Sequence, residues 1–188
     1  SPGAALTLAD ALPLFDSLGL RAIEETPHRL TPASGGLVVL HVFRLGARAD
    51  CDASRFPDLL AALDALLAGE AEADGFNRLV LFAGLSWREC WLLRAMFRWL
   101  KQVGFGFAQD SVEAALAAHP DAARILLDLF HARFDPALPR DAAEEEKLDA
   151  AWRTLLETVT NPDEDRILVR LRTLLDAVLR SNFHARRP

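Results

Sequence analysis

The chain has 188 residues, of which 51% are hydrophobic and 26% are charged, and its formal net charge is −6. This composition predicts a globular protein with a sizeable core. The negative charge argues against a nucleic-acid partner, which needs a basic surface. Every apolar run is shorter than the ~20 residues of a membrane span, so no membrane partner is expected. The two cysteines, Cys51 and Cys90, provide no disulfide framework and favour a cytoplasmic location.

The N-terminal part of the chain predicts two helices. Thr7 and Asp10 have the spacing of a capping box, and Gly19 suits the end of the helix that follows. Pro13 lacks the backbone N–H of a helix interior, so either this helix kinks there or Asp10 is the true N-cap. A second helix is expected from about residue 54 to residue 67. Its inner face is expected to carry Phe56, Leu59, Leu60, Leu63, Leu66 and Leu67.

Two strands are predicted between these helices, as an antiparallel pair. Residues 37–43 are rich in β-branched side chains and follow turn residues. Residues 20–25 alternate imperfectly, and Pro27 ends them or confines them to a sheet edge. The order helix, strand, strand, helix is that of a ferredoxin-like βαββαβ unit without its outer strands. Because the lack of a first strand would expose a sheet edge, we expect that strand to precede Ser1 in a longer natural chain.

A central helix is predicted from its two ends. Ser86 and Glu89 form a second capping box, and Gly104 suits the left-handed position after the last turn. The run before it, residues 75–83, fits a strand or a helix by periodicity, and Asp74 as N-cap favours a helix. The apolar face of the central helix is too wide for a surface helix. It comprises Cys90, Leu93, Met96, Phe97, Trp99, Leu100 and Val103.

The remainder of the chain predicts four helices. The first two cover residues 112–118 and 121–134. The third covers residues 142–160, where acidic side chains at its start complement the helix dipole. The last begins after Asn161 as N-cap and runs out near Asn182. Its apolar side chains are Ile167, Leu168, Leu171, Leu174, Leu175, Val178 and Leu179. The expected class is α+β, with a partial ferredoxin-like αββα unit followed by an all-α helical bundle.

Motifs for catalysis or metal binding are incomplete. The segment from Gly84 to Arg88 resembles the first half of a nucleophile elbow, but Arg88 replaces its closing glycine, so Ser86 is assigned a capping role only. Residues 104–106 lack the strand and the third glycine of a dinucleotide fingerprint. The five histidines have no metal-ligand spacing with one another or with the cysteines, and His131 is interpreted as a helix-surface residue. No metal site is predicted.

A stripe of tryptophan and cationic side chains follows the central helix at i, i+4, i+7 spacing. It consists of Trp87, Trp91, Arg94, Arg98 and Lys101. Tryptophan and arginine are enriched among interface anchors, so the stripe is a candidate docking surface. The alternative is that the tryptophans pack against neighbouring helices while the arginine stems cover them.

Seven segments of the chain resemble the large bacterial NAD-specific glutamate dehydrogenases. They are Leu12–Arg21, Asp74–Leu81, Ala83–Glu89, Leu93–Ala95, Ala132–Pro136, Asp163–Leu168 and Leu179–Phe183. The resemblance covers nearly the whole chain and is most specific in its middle part. The chain departs from the family at Gly104-Phe105-Gly106 and at His184-Ala185, where further aromatic sequence is expected.

The resemblance implies an internal fragment, with an ACT-like regulatory module at residues 1–73 that lacks its first strand and a helical domain at residues 74–188. It implies a parent enzyme that deaminates L-glutamate to 2-oxoglutarate and ammonia with NAD as cofactor. That chemistry needs a lysine in a glycine-rich strand–loop, whereas Lys101 and Lys147 lie in helical segments. No catalytic or NAD-binding residue is therefore expected in this chain.

The resemblance also implies partners. These are the catalytic domain of the same polypeptide, further copies of the parent in a homo-oligomer, and an amino-acid effector. The alternative function is an ACT-like amino-acid sensor without an enzymatic role.

Overall fold

A computed structural model describes residues 7–47 and 52–185. The predicted strand before Ser1 and the side chain of Cys51 lie outside these residues. The described part contains eight α-helices and a two-stranded antiparallel sheet, so the α+β class is confirmed. The elements are α1 (Leu8–Ser17), β1 (Arg21–Leu30), β2 (Val38–Gly46), α2 (Phe56–Leu67), α3 (Leu79–Phe82), α4 (Trp87–Gln102), α5 (Gln109–Ala118), α6 (Pro120–Phe134), α7 (Ala142–Thr158) and α8 (Pro162–Ala177). None of the described helices is long and apolar enough to cross a membrane.

Helix α1 begins at the first of its two predicted caps. The Thr7 hydroxyl accepts from the backbone N–H of Asp10, and the Asp10 carboxylate accepts from the N–H of Thr7. Pro13 lies inside the helix, where it removes one backbone donor. Gly19 follows the helix with φ +75°, a left-handed conformation in which a Cβ would also approach the Phe82 ring. Because Thr7 is the N-cap, the alternative start at Asp10 is wrong.

Strand β1 is longer than predicted and continues through Pro27. In the register of the hairpin, Pro27 lies opposite His41. The proline is tolerated because β1 is an edge strand of the described sheet. Phe43 of β2 packs edge-to-face against Phe15 of α1, with 5.0 Å between ring centroids, and this contact attaches one face of the sheet to α1. On the opposite face, Val38, Leu40 and Val42 are exposed.

Helix α2 buries a narrower face than predicted. Ala62, Ala65 and Leu66 are buried, and Leu59 and Leu63 pack against the core. Phe56 and Leu60, placed on the inner face by the sequence, are 58% and 60% exposed, and Leu67 is also exposed. The reason is geometric: α2 packs on α3 and α4 along one stripe. Apolar residues cover more of its circumference than that stripe can bury.

Helix α4 is central, as predicted, and residues 75–83 are helical. A 3₁₀ turn, Gly75–Arg78, leads into α3. At the end of α4, Gly104 has φ +87° and donates to the Lys101 carbonyl, while Phe105 donates to the Leu100 carbonyl. These two bonds form a Schellman motif. Trp99 and Val103 were placed on the buried face but are 48% and 60% exposed, because the core contacts the α4 face that carries Cys90, Leu93, Met96, Phe97 and Leu100.

The C-terminal helices complete one continuous core that also includes residues of α1 and α2. Trp152 is the buried anchor of α7. Arg133 of α6 donates to Glu145 of α7 and to Asp176 of α8, at 3.1 and 2.7 Å. Helix α8 ends at Ala177, five residues before the predicted end, and Leu179 is 93% exposed. The predicted apolar face of α8 therefore extends too far.

Candidate functional site

The predicted stripe on α4 does not form one surface. Arg94 is 1% exposed, so its placement on a docking surface is wrong. Trp91 and Arg98 are exposed, and Trp87 is half-buried. Lys101 is exposed and donates to the carbonyls of Phe105 and Phe107, at 3.0 and 3.2 Å, which covers the C-terminal end of α4.

Arg94 is instead the centre of a buried polar cluster. Its Nε and Nη2 donate to the two carboxylate oxygens of Asp74, at 2.5 and 2.6 Å, and Nη2 also donates to Asn77 Oδ1 at 3.0 Å. Asp74 accepts further bonds from the Phe76 N–H and from the Gln109 side chain. Burial alone would lower the pKa of Arg94, but the hydrogen bonds and charge of Asp74 outweigh it and raise the pKa. The cluster thus fixes residues 72–77 to both α4 and α5.

Glu113 of α5 borders this cluster. Its carboxylate accepts from the Gln109 side chain at 2.8 Å and from the backbone N–H of Gly75. A Cβ on Gly75 would lie 2.4 Å from Glu113 Oε2, so any larger residue there would displace the Glu113 carboxylate. Burial raises the pKa of Glu113, and the nearby Asp74 charge adds to this, while the Gln109 bond opposes it.

A second cluster joins the start of α4 to the end of α6 and to the segment after α8. Ser86 Oγ donates to Glu89 Oε2 at 2.7 Å, and Glu89 Oε1 lies 2.8 Å from His131 Nε2. His131 Nδ1 lies 3.2 Å from His184 Nε2, and His184 Nδ1 lies 3.7 Å from Asp135 Oδ2. Below, these four side chains, Glu89, His131, Asp135 and His184, are called the histidine cluster.

The electrostatics of the cluster depend on partial burial. Burial would raise the pKa of Glu89, but hydrogen bonds from His131 and from the backbone and hydroxyl of Ser86 lower it to about 2. Burial lowers the pKa of His184; Asp135 opposes this shift, whereas His131 and Arg88 add to it.

The order of side chains does not form a nucleophilic triad. In such a triad a histidine lies between the serine and the carboxylate, so that it can remove the serine proton. Here Glu89 lies between Ser86 and His131, and the Ser86 hydroxyl is held as a helix cap. Cys90 is fully buried, and burial raises the pKa of its thiol, which disfavours the reactive thiolate. Ser86 therefore caps α4, as the sequence predicts.

Sequence spacing gave no indication that His131 and His184 are neighbours. They are 53 positions apart, on α6 and in the irregular segment after α8. Phe130 packs on both Phe183 and His184, with ring centroids 5.5 and 5.9 Å apart, and this packing brings the segment back to α6. The aromatic residue before His184 was the one available signal. Within the described part of the chain, His131, Asp135 and His184 form the group whose ligand atoms could hold a metal ion.

An apolar groove of about 800 Å³ lies between α4 and α8. Its walls include Leu92, Met96 and Trp99 of α4 and Leu174 of α8. The exposed Trp99 thus borders a concave surface, which the sequence did not indicate.

Comparison with known proteins shows which family the chain resembles. A model described as "Glutamate dehydrogenase, ACT3 domain" matches residues 1–56, and one described as "Glutamate dehydrogenase, helical motif 3" matches residues 71–136. The chain is 38% identical over 188 residues to the NAD-specific glutamate dehydrogenase of Halomonas elongata. The chain belongs to the NAD-specific glutamate dehydrogenase family.

Two further members of the NAD-specific glutamate dehydrogenase family are similar over nearly the whole chain. The protein of Pseudomonas aeruginosa is 40% identical over 186 residues, and that of Mycobacterium tuberculosis is 33% identical over 199 residues. The alignments cover 95–98% of this chain but 12% of each relative, so the chain spans about an eighth of their length. The helical motif contains the Arg94 cluster, Glu89, His131 and Asp135, whereas His184 lies beyond it.

Proposed function

We propose that this chain is a regulatory and scaffold segment of an NAD-dependent glutamate dehydrogenase. The complete polypeptide would convert L-glutamate, NAD⁺ and water to 2-oxoglutarate, ammonia and NADH in the cytoplasm. The names of the relatives and the 12% share of their length that the chain spans support this proposal. NAD would bind elsewhere in the polypeptide. Lys101 donates to backbone carbonyls, and Lys147 pairs with Glu144 on the surface.

The observation that carries the scaffold role is the Arg94 cluster. We assign residues 1–73 to an ACT-like module and residues 74–188 to a helical domain. Arg94 and Asp74 lie at the boundary, and the buried core continues across it through Phe15, Leu66 and Phe76. A displacement of residues 72–77 would strain α4 and α5 directly. The cluster would therefore transmit a movement of the ACT-like module to α4 and α5 of the helical domain.

Trp91 and Arg98 are the exposed remainder of the predicted docking surface, with Trp87 and Lys101 beside them. We propose that they contact another part of the enzyme, either the catalytic domain or a second copy in the homo-oligomer. In the full-length enzyme, Trp91→Ala with Arg98→Glu should weaken assembly, as measured by light scattering during size-exclusion chromatography. The matched control is Arg166→Glu, an equal change of charge on the exposed side of α8. If the two variants assemble equally well, Trp91 and Arg98 do not form an assembly contact.

The catalytic part of the proposal has its own test. The isolated chain should show no glutamate-dependent reduction of NAD⁺, whereas the full-length enzyme should. Activity in the isolated chain would refute the assignment of a purely regulatory and scaffold role.

The exposed face of the sheet favours a second candidate, an amino-acid sensor. Val38, Leu40 and Val42 present alternating apolar side chains to solvent on one face of β2. A paired module would cover that face, and an effector would bind where two modules meet. Titration calorimetry with amino acids should then give saturable heat that Leu40→Lys abolishes. No heat with any amino acid would count against the sensor.

A further inference from the structure

The histidine cluster has the donor set of a transition-metal site. His131 and His184 supply imidazole nitrogens and Asp135 supplies a carboxylate, and one ligand atom from each lies within 4.8 Å of the others. Two imidazoles with one carboxylate suit Zn²⁺ and related ions, whereas Ca²⁺ and Mg²⁺ prefer oxygen ligands alone. We propose that His131, His184 and Asp135 bind one divalent transition-metal ion, with Zn²⁺ as the best fit.

The spacing of the two rings fits a shared metal. Two nitrogens that are both bound to one tetrahedral zinc lie about 3.3 Å apart, given Zn–N bonds of ~2.0–2.1 Å. The separation of His131 Nδ1 and His184 Nε2 is 3.2 Å. This separation suits a common ion, and it is also that of an N–H···N hydrogen bond between the rings.

Hydrogen bonds outside the ligands hold them in the orientation that metal binding needs. Glu89 Oε1 faces His131 Nε2 at 2.8 Å, so the ring proton belongs on Nε2 and the Nδ1 lone pair points to His184. A carboxylate behind a ligating histidine is a common arrangement around protein-bound zinc. Asp135 Oδ1 accepts from the Ala137 N–H at 2.9 Å, which fixes that carboxylate. Its Oδ2 lies 3.7 Å from His184 Nδ1, and one ligand oxygen of Asp135 lies within 4.8 Å of a ligand nitrogen of each histidine.

Without a metal, the contact between the two neutral rings depends on the His184 tautomer, and a proton on Nε2 gives a hydrogen bond to His131 Nδ1. If His184 carries its proton on Nδ1, two lone pairs face each other across 3.2 Å. If it carries the proton on Nε2, the Nδ1 lone pair faces the Asp135 carboxylate. Glu89, Asp128 and Asp135 place carboxylates near the two histidines, and the guanidinium groups of Arg88 and Arg124 oppose their charge.

An open cavity borders the two histidines. A cavity of about 390 Å³ is lined by Ser86, Arg88, Glu89, His131, Phe183, His184 and Ala185. An ion can enter from this side and keep a water molecule as its fourth ligand. Bound there, it would attach the segment after α8 to the end of α6.

The test is a titration of this chain with ZnCl₂, followed by calorimetry, in a Cys51→Ser background that removes thiolate binding at that position. We expect saturable binding of one Zn²⁺ per chain. His131→Gln and His184→Gln should each weaken it at least about 100-fold, and Glu89→Gln by about 10- to 100-fold through loss of orientation. Cobalt(II) should give the visible absorption of a tetrahedral site, and both histidine variants should lose it.

His119→Gln is the matched control. His119 also lies on a helix boundary, and its Nε2 is 2.8 Å from the Glu164 carboxylate, but it is outside the cluster. Its replacement should leave Zn²⁺ affinity unchanged. Circular dichroism separates loss of binding from loss of folding, and His184→Gln, which lies after the last helix, decides the matter if His131→Gln does not fold. No saturable binding, or equal affinity in the His184→Gln chain, would overturn the proposal.

Discussion

Replacing Arg94 with methionine removes the guanidinium of the buried cluster and keeps most of the apolar stem. The Asp74 carboxylate, whose side chain is 13% exposed, then loses a bidentate partner, and the buried Asn77 loses a donor to its carbonyl oxygen. Breaking a buried ion pair by removing one partner costs about 3–5 kcal/mol. We expect a decrease of that size in the free energy of unfolding, measured by urea denaturation followed by circular dichroism.

The same helix supplies the control for this prediction. Arg98 lies four residues after Arg94 and pairs with Glu72, but both side chains of this pair are about half exposed. Arg98→Met should therefore change the free energy of unfolding by about 0–1 kcal/mol. Combining Arg94→Met with Asp74→Asn should cost less than the sum of the single changes, since each removes the same pair. Equal effects of Arg94→Met and Arg98→Met would refute the assignment of Arg94 as the centre of the cluster.

Three further predictions concern Glu113, the α4 cap and the core. Because burial raises the pKa of Glu113 in the folded chain, its contribution to stability is largest at low pH and is lost as the pH rises. Glu113→Gln should therefore raise the free energy of unfolding near pH 7, and this gain should disappear below about pH 4 in urea titrations. Ser86→Ala removes the two bonds that the Ser86 hydroxyl makes with Glu89 and should cost about 0.5–2 kcal/mol in the same assay, so an unchanged midpoint would contradict its capping role. Leu168→Ala, at a fully buried position, should cost about 2–5 kcal/mol, whereas Leu179→Ala, at an exposed one, should change stability by less than about 0.5 kcal/mol.

Helix boundaries were predictable where the signal is local. The pairs Thr7/Asp10 and Ser86/Glu89 act across one turn of backbone, and Asn161 caps α8 through the N–H of Asp163. Such contacts depend on residues three positions apart or less, so their spacing in the sequence is sufficient. Gly104 likewise fulfils a purely local requirement for a left-handed residue.

Burial was less predictable, because it depends on distant partners. Arg94 resembles a surface cation in the sequence, but it is buried where Asp74, 20 residues earlier, accepts from two of its three guanidinium nitrogens. Trp99 resembles a core residue, yet the neighbouring helices leave it beside an open groove. Hydrophobic periodicity defines an apolar face but not the part of it that another element covers.

The histidine cluster was even harder to predict from the sequence, because its members are brought together by contacts between distant segments. His131 and His184 share a site only because Phe130 and Phe183 return the segment after α8 to the end of α6. No spacing rule for metal ligands spans such a distance unless the fold is known. The predicted docking stripe failed at Arg94 for a related reason, since equal spacing on a helix does not guarantee equal exposure.

Helix α4 connects the two polar clusters through residues that lie five positions apart. Glu89 contacts His131 of α6 on one side, and Arg94 contacts Asp74 in the turn before α3 on the other. Because the turn, α4 and the end of α6 are joined by buried or half-buried charged contacts, they should move as one body. The hairpin of β1 and β2 contacts the body through α1, by apolar packing at Phe15 and Phe43. Any relative motion by which an effector on the sheet influences the helices should therefore occur at that apolar contact, and Phe43→Ala should uncouple the two parts while the Arg94 cluster stays intact.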